Sequence, residues 1–93
     1  IPGNGVYFIK ANLENDNFYG MCNIGFNPTI DNNKKHSIEI HLFHFHKDIY
    51  GKMIEVKFLN FIRKERRFKS INLLKKQLHL DRNKCLEYSV YNV

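Results

Sequence analysis

The sequence predicts a mainly β domain, a strongly curved antiparallel sheet such as a small closed barrel, with one α-helix at its C-terminal end. Three observations carry this prediction. Segments rich in β-forming residues alternate with turn signals, two of these segments change their apolar phase midway, and an amphipathic helical pattern follows the last one. At 93 residues the chain is one small domain, residues 1–93, with strands over 5–63 and a helix over 70–88.

The first two strands flank a short polar connection. Residues 5–13 (GVYFIKANL) follow a Pro/Gly/Asn turn, and residues 18–27 alternate between two faces. The connection between them, ENDN, has the length of a hairpin loop. Gly20 and Gly25 allow the second strand to bend or another group to approach it closely.

The third strand, within residues 37–51 (SIEIHLFHFHKDIYG), carries a carboxylate in mid-strand, where acids are depleted. Ile38 and Ile40 point to one face and Glu39 points to the other. After Leu42 the phase changes, so that the phenylalanines share a side with the glutamate. We therefore expect a bulge or a sharp bend just after Leu42.

The fourth strand repeats this change of phase. In residues 52–63 (KMIEVKFLNFIR), Leu59 and Phe61 move to the side that was polar before them. Two long strands with a phase break suit a curved sheet better than a flat one. Ser70 is then an expected N-cap for a helix. The apolar stripe of that helix is expected to contain Ile71, Leu74, Leu78 and Cys85.

Charge is unevenly distributed along the chain, whose formal net charge is +6. Residues 1–50 contain four Lys/Arg and five Asp/Glu, whereas residues 51–93 contain eleven and four. The basic half should attract a phosphate-bearing ligand, which could be a nucleotide, a nucleic acid or an anionic membrane. A hydrophobic content of 43%, with eight phenylalanines and five tyrosines, is typical of a folded globular chain and argues against disorder.

The cellular setting predicted by the sequence is the cytoplasm. Cys22 and Cys85 have no second cysteine at metal-ligand or redox spacing, as expected of buried thiols in a reducing compartment. We find neither a membrane-length apolar run nor a signal peptide. Because the chain begins with Ile1, we expect it to be a fragment or a processed piece.

Two features of the sequence could carry chemistry. Glu39 is either a general base that positions a hydroxyl group, or an ordinary cross-strand partner of Lys57. The basic run 63–69 (RKERRFK) is either a solvated face or a contact for phosphate or nucleic acid, with Phe68 between the cations.

A histidine cluster on the third strand suggests a metal site at first sight: His41, His44 and His46. On one strand, however, His41 points away from the other two, and the latter lie about 7 Å apart. Zinc ligands must converge at about 2 Å from the metal. We therefore predict no metal site in these 93 residues.

Four segments in unbroken order resemble the riboflavin kinase domain: GVY (5–7), YGMCNIGFNPT (19–29), SIEIHLFHFHKDIYG (37–51) and VKFLNFIRKERRF (56–68). This domain occurs alone in eukaryotes and as the C-terminal half of the bacterial bifunctional riboflavin kinase and FMN adenylyltransferase, or FAD synthetase. The resemblance covers residues 2 to about 80. It implies a Greek-key antiparallel barrel with a C-terminal helix, which transfers the γ-phosphoryl group of ATP to the 5′-hydroxyl of riboflavin and yields FMN.

The resemblance also implies individual roles. Glu39, in the S-x-E-x-H pattern, would be the catalytic base. The ATP contacts would be Leu42, His44 and Tyr50. The flavin contacts would be Arg63, Arg66 and Phe68. The implied partners are riboflavin/FMN and ATP/ADP with Mg²⁺. The bacterial bifunctional form of the family would add an N-terminal FMN adenylyltransferase domain of the same parent chain.

The sequence departs from the family pattern at two places. A G-x-P-T-x-N segment, whose Thr and Asn hold magnesium and nucleotide phosphates in the family, precedes GVY there and is not among these residues. The segment 27–29 (NPT) follows GVY and is not that motif. Lys64 stands where the family usually has proline. We expect a barrel that is incomplete at its N-terminus, and 93 residues that bind Mg-ATP poorly and have little or no kinase activity, whereas the parent protein is active.

The alternative hypothesis is a basic small-barrel module that binds nucleic acid, for which the basic half and its aromatic residues are the reason. This alternative explains neither Glu39 nor the four ordered segments. We therefore expect neither a nucleic-acid partner nor a membrane partner.

Overall fold

Four antiparallel strands and one helix make up the protein in a computed structural model, which describes residues 2–28, 34–46 and 51–91. The elements are β1 (Gly5–Leu13), β2 (Asp16–Pro28), β3 (Lys34–Leu42), β4 (Glu55–Arg63) and α1 (Ile71–Tyr91). The predicted mainly β fold with a C-terminal helix is confirmed.

The strand order in the sheet is β3-β2-β1-β4. The first three strands follow one another as antiparallel neighbours, and β4 returns to pair with β1. This order is that of a Greek key. Closure into a barrel is not detected, because β3 and β4 are the two edges of the sheet in the part of the chain that the structure describes.

The turn between β1 and β2 is tighter than the predicted four-residue connection. Leu13 pairs with Asp16, so that only Glu14 and Asn15 form the turn. Both of these residues have positive φ angles, 51° and 70°. Two left-handed residues match the right-handed twist of the strands that they join.

The sheet has an apolar cluster on each face. On the face that α1 covers, called here the helix face, Phe8 is buried with Phe43 and Cys85. On the other face, called here the inner face, Ile9 is buried with residues of β2. Because Phe8 and Ile9 are adjacent in β1, their side chains lie on opposite sides of the sheet. The central strand β1 thus contributes to both clusters.

The inner face is only partly covered. Its large apolar side chains near the two edges of the sheet remain between 39% and 52% exposed: Ile38, Ile40, Phe58 and Phe61. The middle of the same face is fully buried, with Ile9 at 0%. The sheet is therefore curved enough to bury its centre while its edge strands stay open.

The two predicted phase breaks have different structural origins. In β4 the pairing with β1 shifts twice, and Leu59 and Ile62 are the residues skipped. These irregularities are β-bulges, which kink a strand and turn its side chains over. In β3 the pairing is regular to Leu42, so the expected bulge is absent there and the expected bend is present. The chain turns at His44, whose φ is 55°, and the Phe43 N–H donates to the Tyr19 carbonyl oxygen at 2.8 Å.

The glycines of β2 are sites of close approach, as predicted. A Cβ atom at Gly20 would collide with the carbonyl oxygen of His41 on β3. A Cβ atom at Gly25 would collide with the carboxylate of Glu65. Glycine at these positions lets β3 and the segment after β4 lie against β2.

Helix α1 begins as predicted, but its packed face differs from the predicted stripe. The Ser70 hydroxyl accepts the N–H of Leu73 at 3.2 Å, which is the geometry of an N-cap. Ile71 is 69% exposed and Leu74 37% exposed, whereas Asp81 and Cys85 are buried. The stripe was wrong in its first half because the helix contacts the sheet mainly through its later turns. Among the described residues, no helix is long and apolar enough to span a membrane.

Both cysteines are free and buried, as expected. Burial raises the pKa of the Cys22 thiol above its usual range. Burial, together with the negative charge of Asp81, raises the pKa of Cys85 to about 12, while Lys84 opposes this shift. Neither thiol has the low pKa of a reactive cysteine.

Candidate active site

A cleft of about 500 Å³ separates the helix face of the sheet from α1. The wall formed by the sheet includes Val6, Met21, Asn23, Glu39, Ile40 and His41. The wall formed by the helix consists of Lys75, Leu78, His79 and Arg82. Residues four and seven positions after Lys75 lie on the same side of a helix, so the polar residues of this wall face the cleft together.

Glu39 lies on the edge strand β3 and points into this cleft from the sheet side. Its side chain is exposed. Its Oε1 atom accepts a hydrogen bond from the Ser37 hydroxyl, with an oxygen–oxygen distance of 3.4 Å. The cross-strand neighbour of Glu39 is Asn23, whereas Lys57 is paired with Lys10 on the far side of the sheet. The interpretation of Glu39 as a partner of Lys57 is therefore wrong, because β3 and β4 are opposite edges.

Asn23 is a second polar group on the same wall. Its Oδ1 atom is buried and has no hydrogen-bond partner in the part of the chain that the structure describes. A buried acceptor without a donor costs about 1–3 kcal/mol, which a ligand that donates a hydrogen bond can recover. Asn23 is not among the site residues predicted from the sequence. Asparagine is depleted in strands, as acids are, so the reasoning applied to Glu39 could have found it.

Arg82 is held in the cleft by an aromatic contact. The Cζ atom of its guanidinium lies 5.8 Å from the ring centroid of Phe43, in cation–π geometry. The same ring meets His41 edge-on at 5.7 Å. Because Phe43 is itself buried against Phe8, the two polar residues are arranged by one fixed ring.

The three residues that the sequence suggests for flavin binding come together where β4 ends: Arg63 is the last residue of β4, and Arg66 and Phe68 lie in the segment that leads to α1. The guanidinium of Arg66 lies 4.8 Å from the ring centroid of Phe68, and that of Arg63 lies 5.7 Å from it. These contacts leave Arg66 exposed and place an aromatic surface next to two cations.

Most donors of Arg63 are already engaged within the protein. Its Nε donates to Asp81 Oδ1 at 3.0 Å, and its Nη2 donates to Asp81 Oδ2 at 2.9 Å. Nη1 donates to the carbonyl oxygen of Lys64 at 3.1 Å. Asp81 is only 2% exposed and also accepts Gln77 Nε2 at 3.0 Å. This arrangement ties the end of β4 to α1.

The residues suggested for ATP binding are less concentrated. Leu42 lines a smaller pocket of about 250 Å³ with Phe45 and Ile54, and its side chain lies on the opposite side of β3 from Glu39. His44 is exposed in the turn after β3. Tyr50 lies outside the described residues, as does Thr29 of the segment 27–29.

The described residues do not form a magnesium site by themselves. Among them, no three His, Cys, Asp or Glu side chains are close enough to hold a metal ion. The cleft provides the carboxylate of Glu39 and the amide oxygen of Asn23, whereas Mg²⁺ requires six oxygen ligands in octahedral geometry. We therefore assign no step of the chemistry to a metal held by this part of the chain.

Comparison with known proteins identifies the family. A family model described as "Flavokinase: Riboflavin kinase" matches residues 1–89. The RNA-binding riboflavin kinase RibR of Bacillus subtilis is 46% identical over 78 residues, which are 84% of this chain and 34% of that protein. The bifunctional riboflavin kinase/FMN adenylyltransferase of the same organism is 36% identical over 90 residues, which are 95% of this chain and 28% of that protein.

A solved structure supports the same fold. A chain described as a macrolide-efflux protein from Streptococcus pneumoniae superimposes with a TM-score of 0.80 at 31% identity, covering 89% of this chain and 27% of that chain. The present chain thus spans about a third or less of the length of these relatives. The family match extends over nearly all of it, and the chain belongs to the riboflavin kinase family.

Proposed function

We propose that this chain provides the flavin-phosphorylating site of a riboflavin kinase, with Glu39 as the general base. The observation that supports this most directly is the cleft between the sheet and α1. Of the described acids, Glu39 alone lines this cleft, on the wall opposite Lys75 and Arg82. A carboxylate that is solvent-accessible and faces cations across a cleft suits the activation of a hydroxyl group toward a phosphoryl donor.

In the proposed reaction, the 5′-oxygen of riboflavin attacks the γ-phosphorus of ATP, and its proton passes to a carboxylate oxygen of Glu39. A bond forms between that oxygen and the γ-phosphorus, the bond to the bridging β,γ-oxygen breaks, and ADP leaves. Phosphoryl transfer depends mainly on positioning and on electrostatic stabilisation, so few protein groups need to react covalently. The family uses Mg-ATP, in which the ion neutralises phosphate charge.

The flavin ring is proposed to lie near Phe68 and Arg66, where an exposed cation and an aromatic ring offer a stacking surface. We assign Arg63 a supporting part, because its donors are used by Asp81 and Lys64. Leu42, His44 and Tyr50 remain the proposed ATP contacts. The cytoplasmic location and an adjoining FMN adenylyltransferase domain likewise remain proposals.

The test is a comparison of Glu39→Gln with Glu55→Gln in the complete gene product. Glu55 is an exposed carboxylate on β4, at the opposite edge of the sheet and outside the cleft, and serves as the matched control. FMN formation is followed by chromatography with saturating riboflavin, ATP and magnesium. Glu39→Gln should lower kcat by roughly 100-fold or more, the range for a positioned general base, while Glu55→Gln should not. Equal turnover by both variants would refute the assignment of the base.

A second candidate function is RNA binding, which is favoured by the 46% identity to a protein described as an RNA-binding riboflavin kinase. The basic segment after β4, in which Arg66 lies over Phe68, has the cation and aromatic ring that single-stranded RNA contacts commonly use. This function would show as RNA affinity that falls steeply with salt and decreases in Arg66→Gln. If the affinity for RNA is no greater than that of an unrelated basic protein, RNA binding is refuted and kinase activity is the sole proposed function.

A further inference from the structure

We infer that the helix wall of the cleft, through Arg82 and Lys75, is a binding site for the phosphate group on the flavin side of the reaction, and that it therefore favours FMN over riboflavin. This inference rests on the proposed function and specifies which groups hold the phosphoryl group that is transferred. The residues concerned lie on α1, for which the sequence pattern predicts no role in binding.

Arg82 is prepared for anion binding. Its guanidinium lies against Phe43, and no described ion pair occupies it. An aromatic face neither neutralises a guanidinium nor uses its N–H donors, which lie in the plane of the group. A pre-oriented planar fork is well suited to bind two oxygens of one phosphate.

Lys75 adds a second positive charge to the same wall. It lies two helical turns before Arg82 on the same side of α1 and lines the same cleft. The described acids nearest to this wall along the helix are Asp81, which is paired with Arg63, and Glu87, which is not in the cleft. Among the described residues that line the cleft, two cations therefore face one carboxylate, and this described lining has a net positive charge.

The cleft also has a direction. The proposed base is on β3 and the cations are on α1, on opposite walls of the cleft. When the riboflavin hydroxyl group lies at Glu39, the phosphate that it receives would therefore point toward the helix. When FMN binds from solution, its phosphate dianion would lie between the cations of α1 and the carboxylate of Glu39. The cations attract this phosphate and Glu39 repels it. Neutralising a cation should therefore weaken FMN binding, whereas neutralising Glu39 should strengthen it.

The experiment measures the dissociation constants of FMN and riboflavin by quenching of flavin fluorescence in the complete gene product. Arg82→Gln should weaken FMN binding by about tenfold relative to riboflavin, as expected for a lost charge-assisted hydrogen bond. Lys75→Gln should weaken it by roughly threefold, because an exposed charge contributes less. Glu39→Gln should strengthen FMN binding relative to riboflavin.

The matched control is Lys76→Gln, which removes an exposed charge from the same helix outside the cleft. This control should leave the ratio of the two constants unchanged. The inference is overturned if Arg82→Gln and Lys75→Gln change that ratio no more than Lys76→Gln does. Should Arg82→Gln fail to fold, Lys75→Gln decides alone, since its side chain is exposed in the native protein.

A separate measurement distinguishes failure of this inference from failure of the proposed function. If the wild-type protein binds neither flavin, the proposed function is wrong. Inorganic pyrophosphate then tests the cations alone: it should raise Tm of the wild type and of Lys76→Gln more than Tm of Arg82→Gln. The same rise in all three proteins would refute the anion site as well.

Discussion

At the scale of single residues, Arg63 and Asp81 form a buried ion pair between the sheet and the helix. The guanidinium meets the carboxylate through two donors, and the side chains are only 16% and 2% exposed. Removing one member of such a buried pair leaves the other charge without compensation. The pair should thus matter more for stability than the exposed cations around it.

We predict that Asp81→Asn lowers the free energy of unfolding by about 2–4 kcal/mol, slightly less than for a fully buried pair because Arg63 retains some solvent contact. Urea denaturation measures this change. Glu87→Gln, which neutralises an exposed acid on the same helix, is the control and should change the value by less than about 0.5 kcal/mol. Equal stabilities of the two variants would show that the pair contributes little.

The buried thiol of Cys85 predicts a pH dependence. Its pKa is raised from about 9 to about 12 in the folded protein, so between these values the unfolded chain loses a proton that the folded chain keeps. The free energy of unfolding should therefore fall as the pH rises from about 9 toward 12. Cys85→Ala should be less stable at pH 8 and should show a weaker fall above pH 9. Parallel stability curves for the two proteins would contradict this account.

At residue scale the sequence pattern predicted which face of β3 carries Glu39, but not which groups lie opposite it. Glu39 stood out because a strand disfavours a carboxylate, and alternation alone placed it on the side opposite Ile38 and Ile40. The cations that face it lie on α1, far away in sequence. No local pattern relates them to β3, since their proximity depends on how the helix packs.

At the scale of elements, the number and order of the strands followed from β-forming runs and turn residues, but the third strand was expected within residues 37–51 and instead spans Lys34–Leu42. The packed face of α1 did not follow from its apolar pattern. Leu74 is partly exposed although it fits the stripe, and Asp81 is buried although it is charged. Apolar periodicity predicts which face of a helix is apolar. It cannot predict that an ion pair will bury a charged residue against the sheet. That pair and the packing of Cys85 determine which turns of the helix make contact.

The N-terminus of α1 gives a prediction at this scale. Ser70→Ala should lower the free energy of unfolding by about 1 kcal/mol, because the N–H of Leu73 loses its hydroxyl acceptor. Ser70→Asp keeps an acceptor and should stay close to the wild type. Thermal unfolding followed by circular dichroism at 222 nm measures both variants. A loss in Ser70→Asp as large as that in Ser70→Ala would argue against capping.

At the scale of the whole molecule, the Greek-key order came from the family resemblance, and the curvature came from the two phase breaks. Closure of the barrel was expected and is not detected among the described residues. A change of apolar phase indicates that a strand bends. It does not indicate which strands pair at the edges of the sheet. The sequence pattern could therefore predict a curved sheet without determining its closure.

The open part of the inner face should be accessible to an apolar probe. We expect the 93-residue polypeptide to enhance the fluorescence of anilinonaphthalene sulfonate, because the described inner face includes Phe61 and Ile38, each at least half exposed. Phe61→Thr should reduce the enhancement. Ile71→Thr, which changes an exposed side chain on α1, should reduce it less. The same reduction in both variants would place the probe elsewhere.

The pairing of β4 with β1 has a consequence for the order of folding. Val6 of β1 pairs with Arg63 of β4, and most of the chain that forms the sheet lies between these two residues, whereas β1 and β2 are joined by a two-residue turn. Closing the longer loop costs more chain entropy, so the hairpin should form first and β4 should follow, bringing α1 with it. Glu39 and the cations of α1 would then meet only in the last kinetic phase. In stopped-flow refolding, flavin binding should accordingly recover after most of the β-sheet signal; simultaneous recovery would contradict this order.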